Sequence, residues 1–206
     1  MRMNASKAGW ATLGAAGLLV LACAGCSQPG DAELSGLRDA QGRVKAGLET
    51  LETWNADSVA EARSRVAERF KDLDWLVADS ALTFSIEDGQ RIGDWTRVKR
   101  FLKDGPERLN ALAREGEVCL EQLAGLENAI QSGATEDANG TPMDEAYFNR
   151  EASREIALVG QWEAAVAETE RLVSSGLELE KSARASLDSL IRAKRAEWAQ
   201  RIAQEE

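Results

Sequence analysis

Seven residues between 109 and 130 decide much of what this chain can become. Leu109, Leu112, Gly116, Cys119, Leu123, Leu126 and Ile130 follow one another at spacings of 3, 4, 3, 4, 3 and 4. An α-helix turns once in about 3.6 residues, so these positions share one narrow face; a strand would scatter them over both sides of a sheet. Such a stripe is the seam along which helices pack side by side. The rest of the chain repeats it. Leu34, Leu37, Gln41, Val44, Leu48, Leu51 and Asn55 keep the same spacing with two polar members. Val59, Ala62, Val66, Phe70, Leu73 and Val77 resume in a shifted phase, and Ile92, Trp95, Val98 and Leu102 form a further run. From Tyr147 and Phe148 through Ile156, Val159, Trp162, Val166, Val173, Leu177, Leu187, Leu190, Trp198 and Ile202 the intervals stay near multiples of 3 and 4. The nearest approach to an alternating strand is 81–86, which is too short to compete.

Punctuation divides the stripes. Asn55, Asp57 and Ser58 offer helix N-cap groups, and Ser58 with Glu61 has the spacing of a capping box, as does Ser85 with Asp88. Asp104-Gly105-Pro106 marks either a restart with Pro at the first helical position or a kink. Residues 133–142, GATEDANGTP, are a clear loop, after which Thr141, Pro142 and Asp144 suit a helix start. Gly36, Gly42 and Gly47 fall off the first seam, each weakening that helix by about 1 kcal/mol relative to Ala. Ser174-Ser175-Gly176 is the one soft point of the last segment. Segments 31–82, 85–132 and 143–203 hold 52, 48 and 61 residues. Rods of similar length on short connections pack as antiparallel neighbours. The expected fold is all-α, an elongated antiparallel helical bundle or coiled coil of three long helices running up, down and up. Splitting the first two rods at Asn55 and Gly105 gives the alternative, a compact four- or five-helix bundle.

The chain has no His. That removes the usual proton shuttle and the commonest metal ligand, and with them Ser-His-Asp, Cys-His and zinc-hydrolase chemistry. A net charge of −10 argues against nonspecific binding to nucleic acid, which needs basic surface. Asp137-Ala138-Asn139-Gly140 imitates the middle of a calcium loop, but Thr135 and Ala146 occupy the positions that need acids. Asn139-Gly140-Thr141 matches a glycosylation acceptor by pattern alone. No P-loop, dinucleotide turn or G-x-S-x-G elbow is present. Carboxylate pairs are inevitable among 35 acids, yet catalysis by them needs a cleft that a slender bundle lacks. The expectation is a non-enzymatic chain with no metal and no cofactor.

The first segment differs from the rest. Residues 1–10 carry Arg2 and Lys7 and no acid, and residues 11–22 are an unbroken apolar run, ATLGAAGLLVLA. A basic start, a short apolar stretch and small residues before a cut form a secretory signal. A membrane span needs about 20 apolar residues, which this run does not reach. Leu21-Ala22-Cys23-Ala24-Gly25-Cys26-Ser27 resembles a bacterial lipobox. The small Ala24-Gly25 pair precedes Cys26 as that class requires, while Cys23 stands where an aliphatic is usual; Cys23 itself is the alternative lipidation site. The resemblance implies a signal peptide at 1–25, a lipidated Cys26 and short tether at 26–33, and a helical domain at 34–206. It also implies a lipid-anchored place in the cell envelope. Ser27 after the lipidated Cys implies the outer membrane, facing the periplasm or the surface; an inner-membrane or signal-anchored chain is the alternative. Removing Arg2 and Lys7 with the leader takes the net charge from −10 to −12. Cys119 then remains the only thiol, and its place on the seam makes it a core residue rather than a reactive one.

Two stretches stand out from the acidic background as a possible interaction surface. Residues 91–103, RIGDWTRVKRFLK, bring Trp95, Arg97, Lys99 and Arg100 together, and the last segment brings Lys194, Arg195, Trp198 and Arg201. Aromatic rings beside cations suit a partner surface, although cations near helix C-termini also offset the dipole. Trp75 sits between the seam positions Leu73 and Val77. Lipobox, tether and long acidic helices together are similar in pattern to helical envelope lipoproteins of diderm bacteria. The expected function is an interaction or scaffold module. Its partners are the membrane through the anchor, and an envelope protein or a second copy of itself, with no nucleic acid. A carrier holding a lipid or apolar ligand between helices is the alternative, and a carboxylate-dependent envelope hydrolase a third reading.

Overall fold

The breaks near Asn55 and Gly105 both exist, and both lie beside the same stretch of one unbroken helix. The structure, a computed structural model, describes residues 29–205. After a 3₁₀ turn at Asp31–Glu33 come α1 (Leu34–Glu52), α2 (Ala56–Val77), α3 (Ile86–Leu102), α4 (Gly105–Ser132) and α5 (Glu145–Glu205). The expectation of three unbroken helices is therefore corrected. Only the last rod is continuous; each of the first two is a pair of helices, so the four- or five-helix alternative describes the chain. The leader, the lipobox, Cys23 and Cys26 lie outside the described residues. Among the described residues no helix is long and apolar enough to cross a membrane.

Local chemistry explains each boundary. Asn55 has extended backbone, and its Oδ1 accepts the Ser58 N–H at 3.0 Å, which starts α2. Ser58 is thus inside the helix, and the expected Ser58–Glu61 box does not form. Ser85 and Asp88 do form theirs: the Ser85 Oγ accepts the Asp88 N–H at 3.1 Å, and Asp88 Oδ2 accepts the Ser85 N–H at 3.0 Å. Between α3 and α4 only Lys103 and Asp104 leave the helix. There Arg63 of α2 donates to the Lys103 carbonyl at 2.9 Å and to Glu107 at 2.7 Å, satisfying an orphan carbonyl of α3. α4 ends on Gly133 at φ 66°, with Ala134 N–H bonded to the Ala129 carbonyl and Gly133 N–H to that of Ile130. This is a Schellman ending, which needs the left-handed conformation that Gly takes without strain.

α5 starts three residues later than Thr141-Pro142 suggests. Its first turn hangs on Asp144, whose Oδ1 accepts the Tyr147 N–H at 2.8 Å. Thr141 and Pro142 belong instead to a closed loop. Asp137 Oδ1 accepts N–H groups of Asn139 and Thr141 at 2.8 and 2.9 Å, and Pro142 bridges to Glu136.

The helices course up, down and up. Arg43 pairs with Glu163, Arg65 with Glu180, Arg69 with Asp188 and Arg195 with Asp72, so α1 and then α2 ascend alongside α5. α3 and α4 descend. Lys194 meets Thr83 near the start of α3, Gly176 meets Leu102 at its end, and Trp162 meets Leu112 in α4. The lower half is a bundle of α1, α4 and the first part of α5; the upper half is α2, α3 and the rest of α5. At 61 residues α5 is roughly 90 Å long.

One core runs the whole length. On α5 positions 148, 152, 159, 162, 166, 169, 173, 176, 180, 187, 190 and 191 are buried, all but the last at intervals of 3, 4 or 7. Gly176 does not break the helix, because the missing side chain is what lets Leu102 in. A Cβ there would stand 2.5 Å from Leu102 Cδ2. Trp162 is the largest wedge of the lower half. A Cβ on Gly47 of α1 would lie 2.5 Å from its ring, and one on Gly116 of α4 2.8 Å; its Nε1–H donates to the Leu112 carbonyl at 2.9 Å. One charge sits in the seam of the upper half. Glu180 is buried, and it accepts from Arg65 of α2 at 3.3 Å and from Arg184 at 2.9 Å. A buried carboxylate needs such partners, so it ties α2 to α5 in one register.

Candidate interaction surface at the far end of the bundle

Descending α3 against ascending α5 brings the two basic, aromatic stretches into one half of the molecule. Their cations then turn inward on the chain itself. Lys194 Nζ donates to the Thr83 carbonyl at 2.6 Å and to Glu197 at 2.9 Å, and lies 5.3 Å from the Phe84 ring centre. Arg195 pairs with Asp72 at 2.6 Å, and Arg201 with Asp79. These contacts fasten the end of α2 and the 78–85 loop to α5. Lys99 lies 4.6 Å over Phe70, Arg100 stands 5.5 Å from the Phe101 ring, and Arg97 pairs with Asp94 on its own helix. Lys194, Arg195 and Arg201 are thus already engaged within the chain. The acids at 72 and 79 and the loop carbonyl at 83 are what these cations meet.

The aromatics divide. Trp95 is wholly buried and its Nε1–H donates to the Val66 carbonyl at 3.4 Å, so it is core and leaves the candidate surface. Its place on the stripe with Val98 and Leu102 explains this. Trp75 is 49% exposed and meets the half-buried Trp198 edge to face, with ring centres 5.0 Å apart. Val77 is 57% exposed, because Leu76 takes the last buried position of α2 in its stead. Ile86, the first residue of α3, is 87% exposed.

Trp75, Val77 and Ile86 thus crowd the last turn of α2 and the first of α3, at one end of the bundle. Isolated exposed apolar side chains are ordinary; these three share one end of the bundle. The stripe placed Val77 on the buried seam, which its exposure corrects, and Ile86 was not singled out. Ile86 could have been: counting back from Ile92 and Trp95, the stripe passes through 85 and 88, which leaves 86 pointing away.

The opposite end holds the start of the described chain. Gly30 has φ 88° and packs on Ile130 and Phe148, and its N–H donates to Glu145 at 2.8 Å. Some 50 residues of α5 separate Phe148 from Trp198, roughly 75 Å of helix.

Chemistry elsewhere is sparse. Among the described residues no group of three or more Cys, Asp and Glu is placed to hold a metal ion. Cys119 is half-buried at the lip of a groove between α4 and α5 rather than sealed in the core. Burial first, then the carboxylates of Glu155 and Glu115, push its thiol pKa up, which disfavours the nucleophilic thiolate. At the α1–α2 break a niche of about 270 Å³ is lined by Leu51, Trp54, Leu109 and Asn110, among others. The buried Nε1–H of Trp54 has no hydrogen-bond partner. Comparison of the chain with known protein families, with curated proteins and with solved structures finds no match in any of the three.

Proposed function

We propose that this chain is a lipid-anchored, non-enzymatic envelope lipoprotein that serves as an interaction or scaffold module. The observation that carries this reading is the separation of its two ends. The segment leading to the lipobox enters at Gly30, and the exposed Trp75, Val77 and Ile86 lie at the other end of α5. The four residue steps from Cys26 to Gly30 reach roughly 14 Å. The rod therefore begins beside the membrane and presents its tip roughly 75 Å away.

Two experiments test it. Cys26→Ala, alone and combined with Cys23→Ala, abolishes acyl labelling of the chain in its host; labelling that persists in the double variant overturns the anchor. A photo-crosslinking amino acid in place of Ile86 captures a defined envelope protein in living cells, and Trp75→Ser with Val77→Ser diminishes that capture. A tip that captures nothing overturns the partner role.

The carrier reading draws on one observation, the unpartnered Trp54 N–H beside an apolar niche. It requires a small apolar molecule with a hydrogen-bond acceptor to co-purify with the chain, and to be lost in Trp54→Phe.

A further inference from the structure

The groove between α4 and α5, on the face turned away from α1, has a volume of about 500 Å³. It is bulky at one end and shallow at the other. Val118 and Leu158, 49% and 38% exposed, stand level with each other at the lower end. Ala111 and Ala165 line the upper end, and Arg114, Glu115 and Gln161 lie between. Neither Arg114 nor Glu115 has a hydrogen bond or ion pair within the described chain. The next stretch below carries Glu155 beside the Arg154–Glu151 pair, and the stretch above carries Arg108 close to Glu168. Among the groove's own residues, bulk and Glu115 belong toward one end, small residues and Arg114 toward the other.

A surface of that kind is complementary to itself when turned end for end. A two-fold axis across the middle of the groove lays Val118 on the second copy's Ala111 and Leu158 on its Ala165. Arg114 comes opposite the second copy's Glu115 and Arg108 level with its Glu121, while Glu155 comes level with Glu168, which Arg171 already pairs. Turned the other way, with both copies pointing up, bulk meets bulk and Arg114 and Glu115 face only Gln161. We infer that the chain pairs with a second copy of itself through the α4–α5 groove, in antiparallel orientation. The interface is isologous, as closed pairs require.

The pair has a consequence for placement. Phe148, beside the chain start, lies about 13 residues of α5 below the axis, so the two starts stand roughly 40 Å apart along the rods, pointing opposite ways. Each Trp198 then stands roughly 35 Å past the other copy's start. The pairing itself does not depend on the anchor or on the far-end tip.

Sedimentation of the full-length chain in mild detergent tests it. The expected result is a reversible dimer with a micromolar dissociation constant. Leu158→Glu weakens it by roughly tenfold or more, with the helical circular dichroism unchanged. Arg114→Glu and Glu115→Arg each weaken it, and the double swap restores it to within about threefold, because the pair is reconstituted across the axis. A photo-crosslinker at Val118 joins to a peptide containing Ala111 of the other copy. A chain that stays monomeric to about 0.2 mM, a dimer indifferent to all these changes, or a crosslink from Val118 to Leu158 of the other copy, told from the same copy by isotope labelling, would each overturn the proposal.

Discussion

Two glycines five residues apart on α1 should respond to the same substitution in opposite directions. Gly42 has nothing within 4 Å of where a Cβ would stand. Gly42→Ala therefore gains only the helix preference of Ala over Gly, about 1 kcal/mol. Gly47→Ala gains the same and then places a methyl 2.5 Å and 2.6 Å from two atoms of the Trp162 ring. That ring cannot swing aside freely, because its Nε1–H is bonded to the Leu112 carbonyl and its other flank lies against Gly116. Overpacking costs about 1–3 kcal/mol, and a rigid obstacle pinned on two sides puts Gly47 at the top of that range. The net loss is about 2 kcal/mol. For a body of this size each kcal/mol moves the melting temperature by roughly 2–4 °C. Gly42→Ala should then melt about 2–4 °C higher than the parent and Gly47→Ala about 4–8 °C lower. Thermal unfolding followed by far-ultraviolet circular dichroism reads both. Trp162→Phe removes the ring edge that the new methyl strikes, so in that background Gly47→Ala should become neutral or stabilising. If Gly47→Ala melts at or above the parent with Trp162 intact, the wedge does not constrain α1 and the reasoning fails.

Other outcomes follow from single contacts. Asn55→Ala should destabilise by about 1 kcal/mol through loss of the α2 cap, whereas Asn55→Asp should cost little; melting temperatures compare them. Acid should weaken the fold. The carboxyls of Asp88, Glu107, Glu127, Asp137 and Glu168 are held below their ordinary range by hydrogen bonds from the Ser85 backbone, Arg63, Arg38, the Thr141 backbone and Arg171 respectively. A carboxyl whose pKa is lower when folded contributes its full stability above the unfolded value and loses it as pH falls through the folded one. Melting temperature should be flat near neutrality and fall below roughly pH 4.5. Cys119 should alkylate more slowly than a free thiol near neutral pH, and Glu155→Gln should speed it by removing one of the charges that raise its pKa; mass spectrometry of the Cys119 peptide gives the rates.

What was legible in the chain was periodicity. The stripes named the buried faces of α1, α3, α4 and most of α5, since burial on a helix is a matter of angle and angle is set by spacing. Where a stripe ends is less legible. Leu76 replaces Val77 because the last turn of α2 packs on whatever tertiary neighbour is present, and no neighbour is written into the local spacing. Charges were the least legible. Lys194, Arg195 and Arg201 look like a basic patch in sequence because their partners at 72, 79 and 83 are more than a hundred residues away. Glycines had the same difficulty. Gly42 and Gly47 look alike in the chain and differ only in whether Trp162, on another helix, happens to arrive.

Asn55, Gly105 and Gly176 are soft points of three different rods. All three fall at one height: a Cβ on Gly105 would touch Val59 just past the first break and Val173 just below Gly176. If all three rods broke there, the molecule would be two small bundles on flexible joints. α5 remains continuous because Leu102 fills the space left by Gly176, so its one soft point is splinted by a neighbour. Continuity of α5 should therefore be what makes the two halves unfold together. Arg171→Pro tests this from an exposed position whose side chain pairs only with Glu168. Proline in a helix interior costs about 3 kcal/mol or more and frees the next half to move, while Arg171→Ala removes only a surface ion pair worth little. Calorimetry should show one transition for the parent and for Arg171→Ala, and two for Arg171→Pro, as the lower and upper bundles melt separately. A single cooperative transition in Arg171→Pro would mean that contacts across the breaks, such as Arg63 on the Lys103 carbonyl, couple the halves without an intact spine.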